Sequence, residues 1–169
     1  MRFRNISALL GMHAALRRVS GLVEKQLTLN HVEPISQLAA THPSIIGDER
    51  ELEQLFLNLI LNARDAMPHG GKLFISTTNE DDGLMVRIAD TGVGVPQDRL
   101  PHLFTPFYTT KELGKGTGLG LAICLAIVER HRGSINASSE VGRGTTITVC
   151  LPTVASVQEP AAQDEGPLP

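Results

Sequence analysis

Two pairs of alternating segments constrain the fold most. Residues 72–80 and 84–90 carry apolar side chains at every second position and are joined by Asp81-Asp82-Gly83, a tight-turn sequence. Residues 134–139 and 145–151 repeat the arrangement around Val141-Gly142-Arg143-Gly144. Strands that meet in hairpins form an antiparallel or mixed sheet, and strands with one apolar side leave one face of that sheet to be covered. The cover is predicted from two helical stretches. In residues 49–67, Leu52, Leu55, Phe56, Leu59, Ile60, Ala63 and Met67 keep helical period, with Asp48 as N-cap and Pro68-His69-Gly70-Gly71 as the stop. Residues 118–132 form a second, more apolar stretch that ends at Gly133. The expected fold class is α+β: a two-layer α/β sandwich whose mixed, mostly antiparallel sheet is covered by helices on one face.

Outside this centre the pattern weakens. Residues 1–25 carry five basic side chains against the single acid Glu24, and Leu9, Met12, Leu16, Val19 and Val23 recur at three- and four-residue steps. An amphipathic connecting helix is expected there, packed either on its own domain or on another helix. Rough alternation over residues 26–32, and an extended piece from Pro34 to Ile45-Ile46-Gly47-Asp48, predict two short strands. Residues 153–169 are Pro-rich and acidic without periodicity, and are expected to be a disordered tail. The domain proper is thus placed at residues 26–152. With 169 residues, 41% of them apolar, the chain can bury a core without a staple, so Cys124 and Cys150 are expected as reduced thiols of a cytoplasmic protein. No apolar run is long enough to span a bilayer, and a net charge of -3 argues against nucleic-acid binding as the main activity.

The chemistry concentrates in four places. Asn58, Asn62 and Asp65 fall on one face of the helix over 49–67. Asparagine is a poor helix former, and a polar stripe on a mostly apolar helix suits a cavity where side-chain oxygens meet a hard cation, such as Mg²⁺ already held by phosphates. A plain solvated helix face is the alternative. Asp90 shares strand parity with Leu84, Val86 and Ile88, so its carboxylate points inward and needs a donor. Gly92 and Gly94 follow it and would let a flat ligand approach the backbone. By the same parity Thr145 points inward with Ile147 and Val149. The glycine-rich run Gly114-Lys115-Gly116-Thr117-Gly118-Leu119-Gly120-Leu121 opens a helix, where free backbone N–H groups suit phosphate. It is neither a dinucleotide fingerprint nor a P-loop. Before it, Phe104-Thr105-Pro106-Phe107-Tyr108-Thr109-Thr110-Lys111 gathers three of the six aromatic residues beside a lysine, the composition of a hinged lid.

In this order the motifs resemble the ATP-binding catalytic domain of sensor histidine kinases, in the superfamily shared with gyrase, Hsp90 and MutL. Asn58 to Ala66 resembles the N-box, Asp90 to Gly94 the first glycine box, Phe104 to Lys111 the F-box, Gly114 to Leu121 the second glycine box, and Ser139 to Thr145 the closing hairpin. The resemblance covers about residues 26–152 and implies a Bergerat-type fold binding ATP and Mg²⁺. It implies that Asp90 accepts from the adenine amino group with Thr145 in support, that Asn62 ligates Mg²⁺, and that Lys111, Gly116, Thr117, Gly118, Leu119 and Gly120 hold phosphates under a lid. Asn58 stands where gyrase-like relatives carry a water-activating glutamate, which fits a kinase better than a hydrolase. None of the six histidines has the acceptor context of a complete kinase, and 25 residues are too few for its helical hairpin. The expected partners are therefore a histidine-bearing dimerisation hairpin, in trans or upstream, and a response regulator. A nucleotide-gated regulatory module or anti-sigma-type serine kinase is the alternative, and a gyrase-like ATPase clamp a third reading.

Overall fold

A computed structural model of the chain describes residues 8–80, 83–108 and 117–154. Its elements, in chain order, are β1 (Ala8–Gly11), α1 (Met12–Leu29), β2 (Val32–Leu38), β3 (Ser44–Gly47), α2 (Glu49–Asp65), β4 (Gly71–Glu80), β5 (Gly83–Asp90), a short 3₁₀ turn at Leu100–His102, α3 (Gly120–Arg130), β6 (Ser134–Glu140) and β7 (Gly144–Leu151). Five strands form one sheet in the order β2-β4-β5-β7-β6, and β1 pairs with β3 in a separate antiparallel ribbon. The two expected hairpins are present, β4 with β5 and β6 with β7, and β5 pairs with β7 to join them. Only β2 runs parallel to its neighbour β4, because the chain crosses over through α2 between them. Pro34 sits in β2, on the sheet's edge, where a missing N–H costs no ladder bond.

The three helices cover one face, making the two-layer sandwich. Leu73 and Ile75 of β4, Leu84, Val86 and Ile88 of β5, and Val149 and Leu151 of β7 are buried on that face. Helix α2 supplies Leu52, Leu55, Phe56, Leu59 and Ile60, and α3 supplies Ile127 and Val128, all buried. Burial of each such side chain stabilises the fold by roughly 1.5–3 kcal/mol. Asp48 caps α2, its Oδ1 accepting from Arg50 N at 2.9 Å and Glu51 N at 3.2 Å. The far end of α3 is tied to the same cap: Asp48 N donates to Nε2 of His131 at 3.1 Å, while the other ring nitrogen meets Ile127 O at 2.8 Å.

The N-terminal third departs from expectation. The helix placed over residues 1–25 begins at Met12 and runs to Leu29, straight through the expected boundary at 26. Ahead of it, Leu9 belongs to β1, not to the helical seam. Met12, Leu16, Val19, Val23 and Leu27 are buried in the same core as α2 and the sheet, so α1 packs on its own domain. Arg18 adds an exposed tie to Glu49 and Glu53 of α2. The strand expected over 26–32 is displaced to Val32–Leu38. Helix α3 starts at Gly120 rather than 118, because Gly118 holds a left-handed φ of +67° that no helix accommodates. Of the expected tail, residues 155–169 lie outside the described residues, as do the turn residues Asp81 and Asp82.

Candidate functional site

Helix α2 and the ends of β5 and β7 enclose a cavity of about 310 Å³. Asn62, Asp65, Asp90 and Thr145 supply its polar atoms. Leu59, Ile88, Val93, Leu103, Leu121 and Ile147 supply apolar walls. The parity arguments therefore hold: Asp90 and Thr145 do face inward, from neighbouring strands.

Asp90 is 9% exposed, and its charge is compensated by backbone donors. Its Oδ1 accepts from Gly92 N at 2.8 Å and from Thr145 N at 3.2 Å. Burial lifts the carboxyl above its ordinary value of 3.8, and those two N–H groups pull the other way. Among the described residues nothing donates to Oδ2, which is left to accept from a ligand. An apolar slot that ends in a carboxylate acceptor suits a flat ring system whose edge carries an N–H donor.

The glycines around Asp90 also meet a packing constraint beyond the expected ligand approach. A Cβ at Gly92 would lie 2.2 Å from Ala66 O, at Gly94 2.2 Å from Glu140 O, and at Gly144 1.9 Å from Asp90 O. The space of the missing side chains is filled by protein backbone, so these glycines let three loops close on one another and thereby hold the carboxylate in place. Gly94 also lines the cavity.

The polar stripe of α2 is divided. Asn62 lines the cavity, within reach of Gly120, where a Cβ would stand 3.7 Å from its Nδ2. Asp65 lines it too, with Oδ1 paired to Arg64 at 2.5 Å, and Arg64 in turn donates to Gln26 of α1 at 2.6 Å. Asn58 is not among the residues that line the cavity; it faces the start of α3, where Gly120 is one of the expected phosphate-binding residues. The Asn58 amide donates to Gly120 O at 3.4 Å, close to Cys124, a buried thiol that desolvation pushes up to about 12. That thiol donates to Leu55 O at 3.7 Å. Cys124 and Cys150 are both free, as expected.

Lys111 and Gly116 lie outside the described residues, with the rest of 109–116. The two ends of that stretch meet: Phe107 N donates to Gly118 O at 2.9 Å, and a Cβ on Gly118 would fall 2.5 Å from the Phe107 carbonyl carbon. Phe107 itself has φ +66° and is 76% exposed, a strained conformation for an aromatic residue. Thr117 Oγ1 accepts from Leu119 N at 3.4 Å at the entrance to α3.

Sequence reasoning missed Ser139. Its hydroxyl meets Val95 N at 2.8 Å, Gly144 O at 2.7 Å and Thr145 Oγ1 at 2.9 Å. The signal was available in the hairpin register, which makes Ser139 the direct cross-strand partner of Thr145.

A family model described as histidine kinase-, DNA gyrase B- and HSP90-like ATPase matches residues 47–155. Sporulation kinase C of Bacillus subtilis (strain 168) is 39% identical over 142 residues, covering 83% of this chain and 33% of the relative. Sensor kinase CckA of Brucella abortus (strain 2308) is 42% identical over 133 residues, covering 70% of this chain and 14% of the relative. The chain thus spans a third or less of these relatives' lengths. Among solved structures, the nucleotide-free catalytic domain of histidine kinase ThkA superposes with a TM-score of 0.78 at 26% identity, over 87% of this chain and 95% of that one. Full-length ShkA in complex with AMPPNP gives 0.80 at 27% identity, over 90% of this chain and 32% of that one.

Proposed function

The chain belongs to the histidine kinase-, DNA gyrase B- and HSP90-like ATPase family, and from that membership we propose that it is the ATP-binding catalytic module of a two-component sensor histidine kinase. It transfers the γ-phosphoryl group of ATP to a histidine on a separate dimerisation hairpin, and a response regulator takes the group onward. The observation that carries the reading is the buried Asp90 carboxylate, with one oxygen unspent, at the end of an apolar cavity that Asn62 enters from α2. The relatives support the same chemistry: sporulation and sensor kinases by sequence, and a full-length protein in complex with AMPPNP by structure.

In this reading Asp90 Oδ2 accepts from the exocyclic amino group of adenine, and the apolar walls exclude water from the ring. The triphosphate extends toward Asn62 and the first turn of α3, where Thr117, Gly118, Leu119 and Gly120 meet it. Lys111 and Gly116, outside the described residues, are assigned to the same triphosphate. The oxygen donors of Asn62 and Asp65 in one cavity fit a hard divalent cation, so Asn62 would hold Mg²⁺ there, and the ion would supply charge neutralisation of the phosphates. Transfer breaks the bond between the γ-phosphorus and the bridging oxygen of ADP and forms a phosphorus–nitrogen bond on the acceptor imidazole. Positioning and charge neutralisation are what this chain contributes.

The test is transfer in trans. Incubation with γ-labelled ATP and a cognate helical-hairpin fragment is expected to put acid-labile phosphate on the fragment. Acid-stable phosphate on serine would favour the anti-sigma-type alternative. ATP binding without transfer to any cognate hairpin would reduce the chain to a nucleotide-gated module, and steady hydrolysis without an acceptor would point to an ATPase clamp.

A further inference from the structure

Beyond the residues that touch the ligand, the hydrogen-bond directions around Ser139 identify a determinant of base selectivity. A serine hydroxyl has one proton and two lone pairs. Ser139 Oγ lies 2.8 Å from the Val95 N–H, which can only donate, and 2.7 Å from the Gly144 carbonyl, which can only accept. The proton of Ser139 is therefore committed to Gly144 O, and one lone pair to Val95 N. Its third neighbour is Thr145 Oγ1 at 2.9 Å. With the serine proton spent, that contact is a hydrogen bond only if Thr145 donates. The Thr145 proton is thus turned away from the cavity, and what Thr145 offers to the cavity it lines is lone pairs.

Asp90 reinforces this polarity. Its Oδ1 is taken by two backbone N–H groups, so its Oδ2 likewise faces the ligand as an acceptor. We propose that Ser139 is a positioning residue for base selectivity: by consuming the Thr145 proton it makes this end of the cavity an acceptor-only rim, which accepts a purine with an exocyclic amino group and rejects one with a carbonyl in its place. The proposal rests on the nucleotide-binding reading above. At position 6 the adenine amino group donates into the rim, whereas the carbonyl of hypoxanthine would set acceptor against acceptor there, with its N1–H donor one ring position away.

The test compares ATP with ITP, which differ at position 6 and in the proton that ITP carries on N1, by titration calorimetry in the presence of Mg²⁺. The parent protein should prefer ATP. Ser139→Ala frees the Thr145 hydroxyl to rotate and donate, so the ATP-to-ITP preference should shrink by roughly tenfold. In a Thr145→Val background the same serine substitution should move the ratio by less than about twofold, because the group it acts through is gone. Thr145→Val alone gives an independent reading that does not depend on Ser139→Ala folding: it should weaken ATP more than ITP. A folded Ser139→Ala variant with the parent's ratio would overturn the proposal. So would an equal shift with and without the Thr145 hydroxyl, or a Thr145→Val variant that loses ITP at least as much as ATP. A parent that binds ATP and ITP alike sinks this proposal and the adenine contact given to Asp90 while leaving triphosphate binding and transfer standing, whereas one that binds neither removes the nucleotide reading and this with it.

Discussion

Asp90→Asn separates what the carboxylate does for the ligand from what it costs the fold. Asparagine keeps an Oδ1 that can accept from Gly92 N and Thr145 N, now 2.8 and 3.2 Å from the carboxylate. The other atom changes from an acceptor oxygen to an NH₂ donor and meets the donor edge of adenine. A hydrogen bond to a charged group contributes about 1.5–3 kcal/mol, so ATP affinity should fall by roughly 10- to 150-fold. Stability should move the opposite way. Burial raises the folded-state pKa of Asp90 above 3.8, which means that the folded protein holds this proton more tightly than the unfolded chain does. The stabilisation linked to that proton is complete below the unfolded value and is lost as pH rises through the folded one. At neutral pH the ligand-free Asn variant, which buries no charge, should match or exceed the parent in Tm, with the difference closing as the pH is lowered toward the ordinary carboxylate range. Calorimetric titration with ATP and thermal melts across that range check both halves. Unchanged ATP affinity, or an Asn variant clearly less stable than the parent at pH 7, would refute the geometry assigned to Asp90.

Three further outcomes follow from the same contacts. Asn62→Ala should abolish the Mg²⁺-dependent part of nucleotide binding while leaving circular dichroism and Tm near those of the parent; equal affinities with and without Mg²⁺ in both proteins would remove Asn62 from the cation. Gly144→Ala combines φ +117° with a Cβ 1.9 Å from Asp90 O, so it should cost at least about 1–3 kcal/mol and lower Tm by roughly 4–10 °C, read by calorimetry. Cys124, buried and with its thiol pushed up to about 12, should resist an aromatic disulfide reagent in the folded protein and react only on unfolding, whereas half-buried Cys150 reacts first.

The parts of this molecule that were legible in the sequence are those fixed by short-range pattern. Strand parity placed Asp90 and Thr145 inside, and helical period with an Asp48 cap placed α2, because both signals are complete within one element. The ribbon of β1 and β3 was not legible: Leu9 continues the apolar spacing of Met12 and Leu16, and only pairing with Ile46, far along the chain, makes it a strand. Asn58 shows a second limit. Spacing puts it on the face of Asn62, but four residues also advance about 6 Å along the helix axis, and that step carries Asn58 out of the cavity that Asn62 lines to the first turn of α3, where Gly120 O takes up its amide. A face is a direction and not an extent, so periodicity cannot say where along a helix a cavity stops. Ser139 shows a third. The letters give its hydroxyl and that of Thr145, both able to donate or accept, and no pattern ranks the choices. The choice is made by Gly144 O and Val95 N, neither of which can change role, brought to the same oxygen by a hairpin register and a glycine loop closing on it. Selectivity at such a rim is therefore set by backbone groups that carry no side-chain identity, and any substitution that shifts the Gly94 or Gly144 loops should relax it even with Asp90, Ser139 and Thr145 intact.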